Sequence, residues 1–425
     1  MRTVGIICEY NPFHNGHLRQ LRLARSQAGE DSAIVCLMSG NYVQRGAPAV
    51  FPKTLRAEAA VRCGVDLVLE LPLTVALSSA EGFAAGGVSI LTALGCDSLC
   101  FGMESDDYNL IMSIAKANLD PAFDALLRAE LSTGCSYPAA RQRALEKLLS
   151  LPLEGKLPPQ GEDEAAQRDF VPSRPNDLLA VEYCKAILKQ GSPMRPLPVR
   201  RTGTYHDETL DPEAPSASAL RAALRLAKES CHCEASAHTG RGNPFPSSPD
   251  WRTAVPEQLH ELYESAPVHT MEAGERAVLA VLRALPEEAF SALPFGSEGL
   301  WSKFMKSCRF CARLDEIIDA AKSKRYTRSR IQRMLLCAYL GLTKTNLETP
   351  PTYVRVLAFN RKGSRLLREM RKRFPLVNAG ERPADAAYYA LETRASDLYS
   401  LFSAAGPRSA GEEDRTRVFS LVGSP

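Results

Sequence analysis

The chain has 425 residues, enough for more than one domain, since a single hydrophobic core rarely grows past about 250–300 residues. Apolar residues make up 45% and charged residues 24%, a globular balance that excludes a disordered chain; no run of about 18 apolar residues suggests a membrane span, and the N-terminal apolar stretch meets Glu9 too soon for an export signal, so a cytoplasmic chain is expected. Residues 301–375 hold 19 Lys and Arg against 5 Asp and Glu, a net +14 within a total of +3, which leaves −11 elsewhere and points to a polyanionic partner such as RNA.

In chain order, Thr3–Cys8 is a short apolar run rich in β-branched residues and reads as a strand. Gly16–Ala28 has helical spacing, with Leu18, Leu21 and Ala24 on one face. Ala33–Met38 is a second strand, ended by Ser39-Gly40-Asn41; Thr54–Cys63 is a helix and Asp66–Leu71 a third strand, stopped by Pro72. Ser79–Leu94 is another helix, and Asp97–Phe101 a fourth strand ending in Gly102. Continuous apolar strands separated by helices predict an α/β fold with a Rossmann-like parallel sheet covered on both faces, which binds ligands at the carboxyl ends of its strands.

Residues 109–150 read as helical, and 151–175 as an acidic, Pro-rich surface insertion. Asn176–Lys189 is a helix, Pro198–Arg201 a strand and Ala217–Ala227 a helix. A Ser, Gly, Pro and His-rich stretch near 228–253 reads as a linker, and the chain from 254 on as mostly α-helical to about 402. The expected division is a nucleotide-binding catalytic unit at 1–227 and a basic helical unit at 254–425.

The densest local feature is Glu9-Tyr10-Asn11-Pro12-Phe13-His14-Asn15-Gly16-His17, between the first strand and the first helix. A helix start presents unpaired N–H groups and a partial positive charge, which suits a phosphate. His14 and His17 are three residues apart and can share one side of the first turn. There they can donate to phosphate oxygens as charge builds in a transition state. Two capping or core histidines would give the same pattern; Gly16 and the place at the end of a first parallel strand favour the nucleotide. Lys53 and Arg56, one turn apart, could reach β/γ-phosphates or form a solvated helix face. Asn41, Gln44 and Arg45 follow the second strand on the same sheet edge, where they fit a second substrate pocket, the tRNA or a solvated loop. Ser216, Ser218 and Arg221 open another helix and resemble the Ser/Thr-x-x-Arg segment of nucleotidyltransferases, although the serine could be an ordinary cap.

This motif resembles the HIGH-type nucleotidyltransferase superfamily, whose members join an acid or phosphate to a nucleoside monophosphate and release pyrophosphate. The wider pattern resembles the bacterial tRNA(Met) cytidine acetate ligases. It is carried by Gly5–His17, Met38–Ala49, Gly64–Pro72, Phe101-Gly102, Pro175–Leu179, Arg200–Asp207, Lys324–Arg330 and Val356–Gly363. The resemblance implies that ATP and acetate form acetyl-adenylate, and that the acetyl group passes to the N4 amine of the wobble cytidine in elongator tRNA(Met). By residue match it places ATP along Ile7, Cys8, Glu9, Tyr10, Asn11, Pro12, Phe13, His14, Asn15, Gly16, His17, Leu18, Arg19 and Gln20, with Gly102, Asn176 and Arg201 completing the site and Mg²⁺ accompanying the nucleotide. The insertion at 151–175 and the linker depart from the family pattern.

The basic run Lys322, Lys324, Arg325, Arg328, Arg330 and Arg333, with Tyr326 among them, is the expected tRNA contact. Arg361, Lys362, Arg365, Arg368, Arg371, Lys372 and Arg373 form a second basic cluster on a helix. Among the 12 cysteines, Cys231/Cys233 and Cys308/Cys311 could supply four zinc ligands, or be a linker pair and a helix pair. Two other readings stay open. A small-molecule adenylyl- or cytidylyltransferase would need the N-terminal half alone. A non-catalytic RNA-binding protein would use nucleotide only as a ligand.

Overall fold

The structure, a computed structural model, describes all residues except 136, 151–173, 202–209, 212–214, 237–249, 324 and 423–425, and the side chains of 137, 138, 150 and 229–236. The acidic insertion, part of the linker, the end of the Arg200–Asp207 motif and Lys324 therefore lie outside the described residues.

The first strand, β1 (Thr3–Cys8), leads to α1 (Asn15–Ala28), β2 (Ala33–Ser39), the short hairpin β3 (Tyr42–Val43) and β4 (Ala47–Pro48), α2 (Lys53–Arg62) and β5 (Leu67–Leu71). Then follow α3 (Leu73–Ala76), α4 (Ala80–Leu94), β6 (Ser98–Met103), α5 (Tyr108–Ala117), α6 (Pro121–Ser132), α7 (Tyr137–Ser150), α8 (Pro175–Gln190), β7 (Arg195–Arg200) and α9 (Ala217–Ser236). Helices α10 (His260–Ser265), α11 (Glu275–Ala284), α12 (Glu287–Ser291), α13 (Leu300–Phe310), α14 (Leu314–Ala321), α15 (Arg328–Leu340) and α16 (Lys344–Glu348) precede β8 (Val354–Asn360). The chain closes with α17 (Arg361–Met370), β9 (Leu376–Asn378), α18 (Ala386–Tyr399), α19 (Glu412–Arg415) and β10 (Phe419–Leu421).

Strands β5, β2, β1, β6 and β7 lie side by side, all parallel. Every residue of β2 and β5 is buried, as a sheet covered on both faces requires. One face packs on α4, α8 and α17 through Ile7, Val35, Leu69, Phe83, Leu91, Val181 and Leu366. The other packs on α1, α2 and α9 through Ile6, Cys36, Leu21, Ala57 and Leu224. Helix α4 begins where Ser79 Oγ accepts from Gly82 N at 3.2 Å and ends at Gly95, whose φ of 79° is left-handed. From β1 the order runs to β2 and β5 on one side and to β6 and β7 on the other, which makes the carboxyl ends of β1 and β6 the topological switch point.

The second half is mostly helical, with a departure from expectation. β8 returns to the sheet and pairs antiparallel with β5; β9 lies along its first half and β10 along its second. The run Val354-Arg355-Val356-Leu357-Ala358-Phe359 is β-branched and apolar, and pairing on β5 buries it. Residues from beyond 254 thus complete a sheet begun at residue 3, and Leu357, Ala358 and Ala379 share a core with Val4 and Ile34. The presumed linker is helical up to Ser236 as the end of α9. A third core belongs to α11, α13, α14, α15 and α18, and Tyr42, Leu73 and Leu77 from the first half enter it. No helix among the described residues is long and apolar enough to cross a membrane.

Candidate active site

The loop from Glu9 to His14 is built by buried side chains. Tyr10 has a φ of 43°, costly for a tyrosine, and is held by burial and a 3.2 Å contact between its hydroxyl and Cys36 Sγ. Asn11 Oδ1 accepts from Val50 N at 2.7 Å, and the Asn11 carbonyl accepts from Arg221 at 2.8 Å. Phe13 is fully buried, and its carbonyl accepts from the Tyr263 hydroxyl. Ile7 packs in the core, Pro12 is buried, and Cys8 lies beside Cys36 and Tyr10, where burial pushes its thiol up. As side chains these residues hold the loop; what they can offer a nucleotide is backbone.

His14 caps α1. Its Nδ1 accepts from Gly16 N at 3.1 Å, while the Nδ1 of His17 accepts from His14 N at 3.3 Å. With both Nδ1 atoms accepting, each ring carries its proton on Nε2. The rings stack with centroids 3.7 Å apart and planes 23° apart. Burial, then the Arg201 and Arg221 charges, push His14 down to about 3; burial, then His14 and Arg201, hold His17 well below its ordinary value. Both are neutral donors at physiological pH. The expected equal roles divide: His14 is buried, whereas His17 faces a cavity.

That cavity lies at the switch point. It is lined by Gly16, His17, Arg19, Gln20, Leu23, Gly102, Val199, Arg200, Arg201 and Pro215. Expected positions from α1, β6 and the end of β7 thus converge, though roughly 190 residues of chain separate the first from the last. A Cβ on Gly102 would come within 2.9 Å of the Arg201 side chain, so glycine lets that guanidinium stem cross the strand end. Leu18 packs toward the core, Asn15 Nδ2 donates to the Thr253 carbonyl, and Gln20 reaches Cys100. Asn176 is on the α8 side of β6, with its side chain and its N–H both donating to Glu104 Oε1. It stands next to the strand that carries Gly102 without lining the cavity. Arg221, a candidate at the start of α9, bonds to the Asn11 carbonyl and does not line the cavity; Arg200, not a candidate, does line it. Arg200 shares a strand end with Arg201, and only the fold shows that both reach the rim.

Two cations behave differently from expectation. Lys53 is 2% exposed and pairs with Glu70 at 2.8 Å and with Glu413. Arg56 is fully buried and donates to the carbonyls of Phe51 at 2.9 Å and Ser39 at 3.1 Å, and to those of Glu9 and Gly40. Neither can reach a phosphate; they brace the sheet edge. Asn41 is likewise buried, its Oδ1 accepting from Lys53 N. Ser216 is an ordinary cap and accepts from Ala219 N.

The basic run from 322 to 333 lies on the cavity's edge of the sheet. Gly46 has a φ of 80°, and a Cβ there would meet Arg333 N at 2.5 Å, so the loop after β2 lies directly on α15. Lys322 is exposed. Arg325 pairs with Glu298 at 2.9 Å, Arg328 with Asp315 and Asp319 at 2.8 Å each, and Arg330 donates to Ser297 and the Phe295 carbonyl. Arg333 is buried over the Phe295 ring, 5.0 Å from its centre. The second basic cluster is at the opposite edge. Asn360, the cap of α17, bonds to Asp66, and Lys362 reaches the carbonyls of Asp31 and Ser32, all at the amino ends of β2 and β5. Cys308 is buried in a helical core; the side chains of Cys231 and Cys233 lie outside the described residues, and no metal-binding group of His, Cys, Asp and Glu occurs among the described ones.

The HIGH Nucleotidyl Transferase family model matches residues 1–414. A tRNA(Met) cytidine acetate ligase from Clostridium acetobutylicum is 35% identical over 95% of this chain and 96% of its own length. The chain belongs to the tRNA(Met) cytidine acetate ligase family. A family member from Thermosipho melanesiensis is also 35% identical, over 89% of this chain and 84% of its own. Two structures of the Thermotoga maritima ligase TmcAL share the fold. The apo form aligns with a TM-score of 0.82 at 29% identity, covering 99% of this chain and 100% of that one. The form bound with alpha-thio ATP aligns with a TM-score of 0.79 at 28% identity over the same shares.

Proposed function

We propose that this protein joins acetate to ATP and transfers the acetyl group to the N4 amine of the wobble cytidine of elongator tRNA(Met). The observation that carries this reading is the convergence of His17, Gly16, Gly102 and Arg201 on one cavity at the switch point, in a chain whose relatives bear that activity in their names. ATP lies in the cavity with its phosphates toward the start of α1. An acetate oxygen attacks the α-phosphorus, the P–O bond to the β-phosphate breaks, and pyrophosphate leaves with the electron pair. Catalysis is positioning and charge stabilisation: His17 Nε2–H, the Arg201 guanidinium and the α1 N-terminus face the growing negative charge. The cavity lining holds no carboxylate among the described residues, so Mg²⁺ would be carried on the triphosphate oxygens and water. In the second step the amine displaces AMP from acetyl-adenylate. The tRNA approaches over the start of α15, where Arg328 and Arg330 offer charge, with Lys322, Lys324 and Arg325 in the chain just before it, and the protein works where tRNA is, in the cytoplasm.

A small-molecule transferase would need the first half only, yet β8 is built into its sheet and α15 onto its loop. Incubation with ATP, labelled acetate and tRNA(Met), each omitted in turn, tests the reading. Label in tRNA only when all three are present is the expected result. Pyrophosphate release that needs a phosphorylated small molecule in place of acetate would overturn it.

A further inference from the structure

The cavity and the basic element stand on different sides of β1. Gly102 and Arg201 belong to β6 and the end of β7; the loop at 40–46 follows β2 on the other side, and its Gln44 carbonyl accepts from Arg333 of α15. Glu9 sits at the seam. It is the first residue past β1, and its Oε1 accepts from Gln44 N at 2.7 Å. Its other oxygen accepts no hydrogen bond among the described residues, and the side chain is partly exposed. Burial pushes this carboxyl up from its ordinary value, against the Gln44 N–H and the charges of Arg221, Arg56 and Arg45. Of the carboxylates near the end of β6, Glu104 is turned to Asn176 through Oε1, Asp106 pairs with Arg200 at 2.6 Å, and Asp177 accepts from the N–H groups of Glu104 and Ser105.

We propose that Glu9 is the catalytic acceptor of the second half-reaction: its free oxygen, Oε2, accepts an N–H of the cytidine amine and takes that proton as the nitrogen attacks the acetyl carbon. The inference rests on the ligase reading above. Cytosine N4 presents a donor, and a carboxylate is its matched acceptor. The amine's lone pair is delocalised into the ring, so attack is slow unless a proton leaves as the bond forms. With acetyl-adenylate on the β6 side and RNA on the α15 side, the base must stand between them, where Glu9 is. The step balances. The N4–C bond forms, the bond from the acetyl carbon to the phosphate oxygen breaks, AMP leaves with that electron pair, and the N4 proton ends on Glu9 Oε2 and passes to water.

The test is Glu9→Gln, which keeps an oxygen for the Gln44 N–H. Two readouts are needed on the full chain: acetyl hydroxamate formed from ATP, acetate and hydroxylamine, which reports adenylate without tRNA, and labelled acetate entering tRNA(Met). Measured against hydroxamate formation by the same variant, tRNA acetylation should fall by a further factor of about 100 or more, the size of a lost general base. Glu9→Asp should recover part of the loss. Full tRNA acetylation by Glu9→Gln, or an equal fall in both readouts, would overturn the proposal. No hydroxamate from the unaltered protein would instead overturn the adenylate reading, and this proposal with it.

Discussion

An imidazole can hold a phosphate as a cation or as a neutral donor, and the two respond oppositely as pH rises. His14 and His17 have depressed pKa values in the folded protein, His14 at about 3, so they are charged only in acid. Hydroxamate formation should therefore show no histidine-linked loss from about pH 6 to about pH 8, where an imidazolium donor would lose close to tenfold per unit above ~6.5. A steep fall across that range would refute neutral donation. His17→Ala removes the donor that faces the cavity, and one lost transition-state donor costs about 10²–10³ in rate. Hydroxamate formation should drop by about that factor, with tRNA affinity changed by less than about twofold because the charges on α15 are untouched. Normal turnover in the variant would contradict the site. At this scale part of the candidate site was legible. His17 could be named from a strand–glycine–helix pattern because that pattern fixes backbone position; Gly102 and Arg201 were named through the family resemblance, and the fold brings both beside His17 at the cavity. The burial of Lys53 and Arg56 was not legible: their partners Glu413 and the Ser39 carbonyl are brought together by the fold alone.

Helices with similar sequences can have different addresses. Two basic clusters looked alike in sequence, and both suggested RNA; the fold puts α15 on the cavity's edge of the sheet and α17 at the opposite edge, roughly 20 Å away by the length of a six-residue strand. The strands from 67 to 103 were legible because they are apolar runs between helices. β8 was harder, since its partner β5 lies about 290 residues earlier and the surrounding helical pattern masked it. The two helices make a paired prediction. Arg328 opens α15 and Arg325 lies just before it; both are exposed and held by surface ion pairs worth about 0–1 kcal/mol each, so phosphates can replace those partners at small cost. Replacing both with Ala should weaken tRNA binding and lower the slope of log affinity against log salt by up to about 0.7–0.9 for each phosphate no longer neutralised. Replacing Arg361, Arg365 and Arg368 on α17 should leave that slope unchanged. If the α17 variant instead carries the larger loss, the RNA approaches from the other edge.

The whole molecule is joined by a buried ionic cluster that draws on both ends of the chain. Lys53 of α2 pairs with Glu70 of β5 and Glu413 of α19; Arg355 of β8 pairs with Glu392 of α18 at 3.0 Å and with Glu413 at 3.5 Å. Glu70 lies under Gly40, so the cluster supports the loop that carries Gln44 to Glu9. Three carboxylates facing two cations leave one negative charge in excess, and a buried excess charge draws a proton. It goes to Glu392, pushed up to about 7 by burial and by Glu70, against Arg355 and Lys53. The sign follows. A folded pKa raised above the unfolded value of about 4.3 means that the proton stabilises the fold fully below that value, and the gain is lost as pH rises through about 7. Glu413 is shifted the other way, and its stabilisation is lost in acid, so absolute stability curves mix the two. The difference between the unaltered protein and Glu392→Gln separates them, because Gln keeps an oxygen for Arg355 and Tyr353 and carries no titrating charge. Urea unfolding from about pH 5 to about pH 8 should show the variant gaining on the unaltered protein as pH approaches 7, by at most about 1.4 kcal/mol per pH unit. A stability difference that stays constant across that range would place the shared proton elsewhere and remove the pH-sensitive tie between the C-terminal helices and the sheet edge that bears the candidate active site.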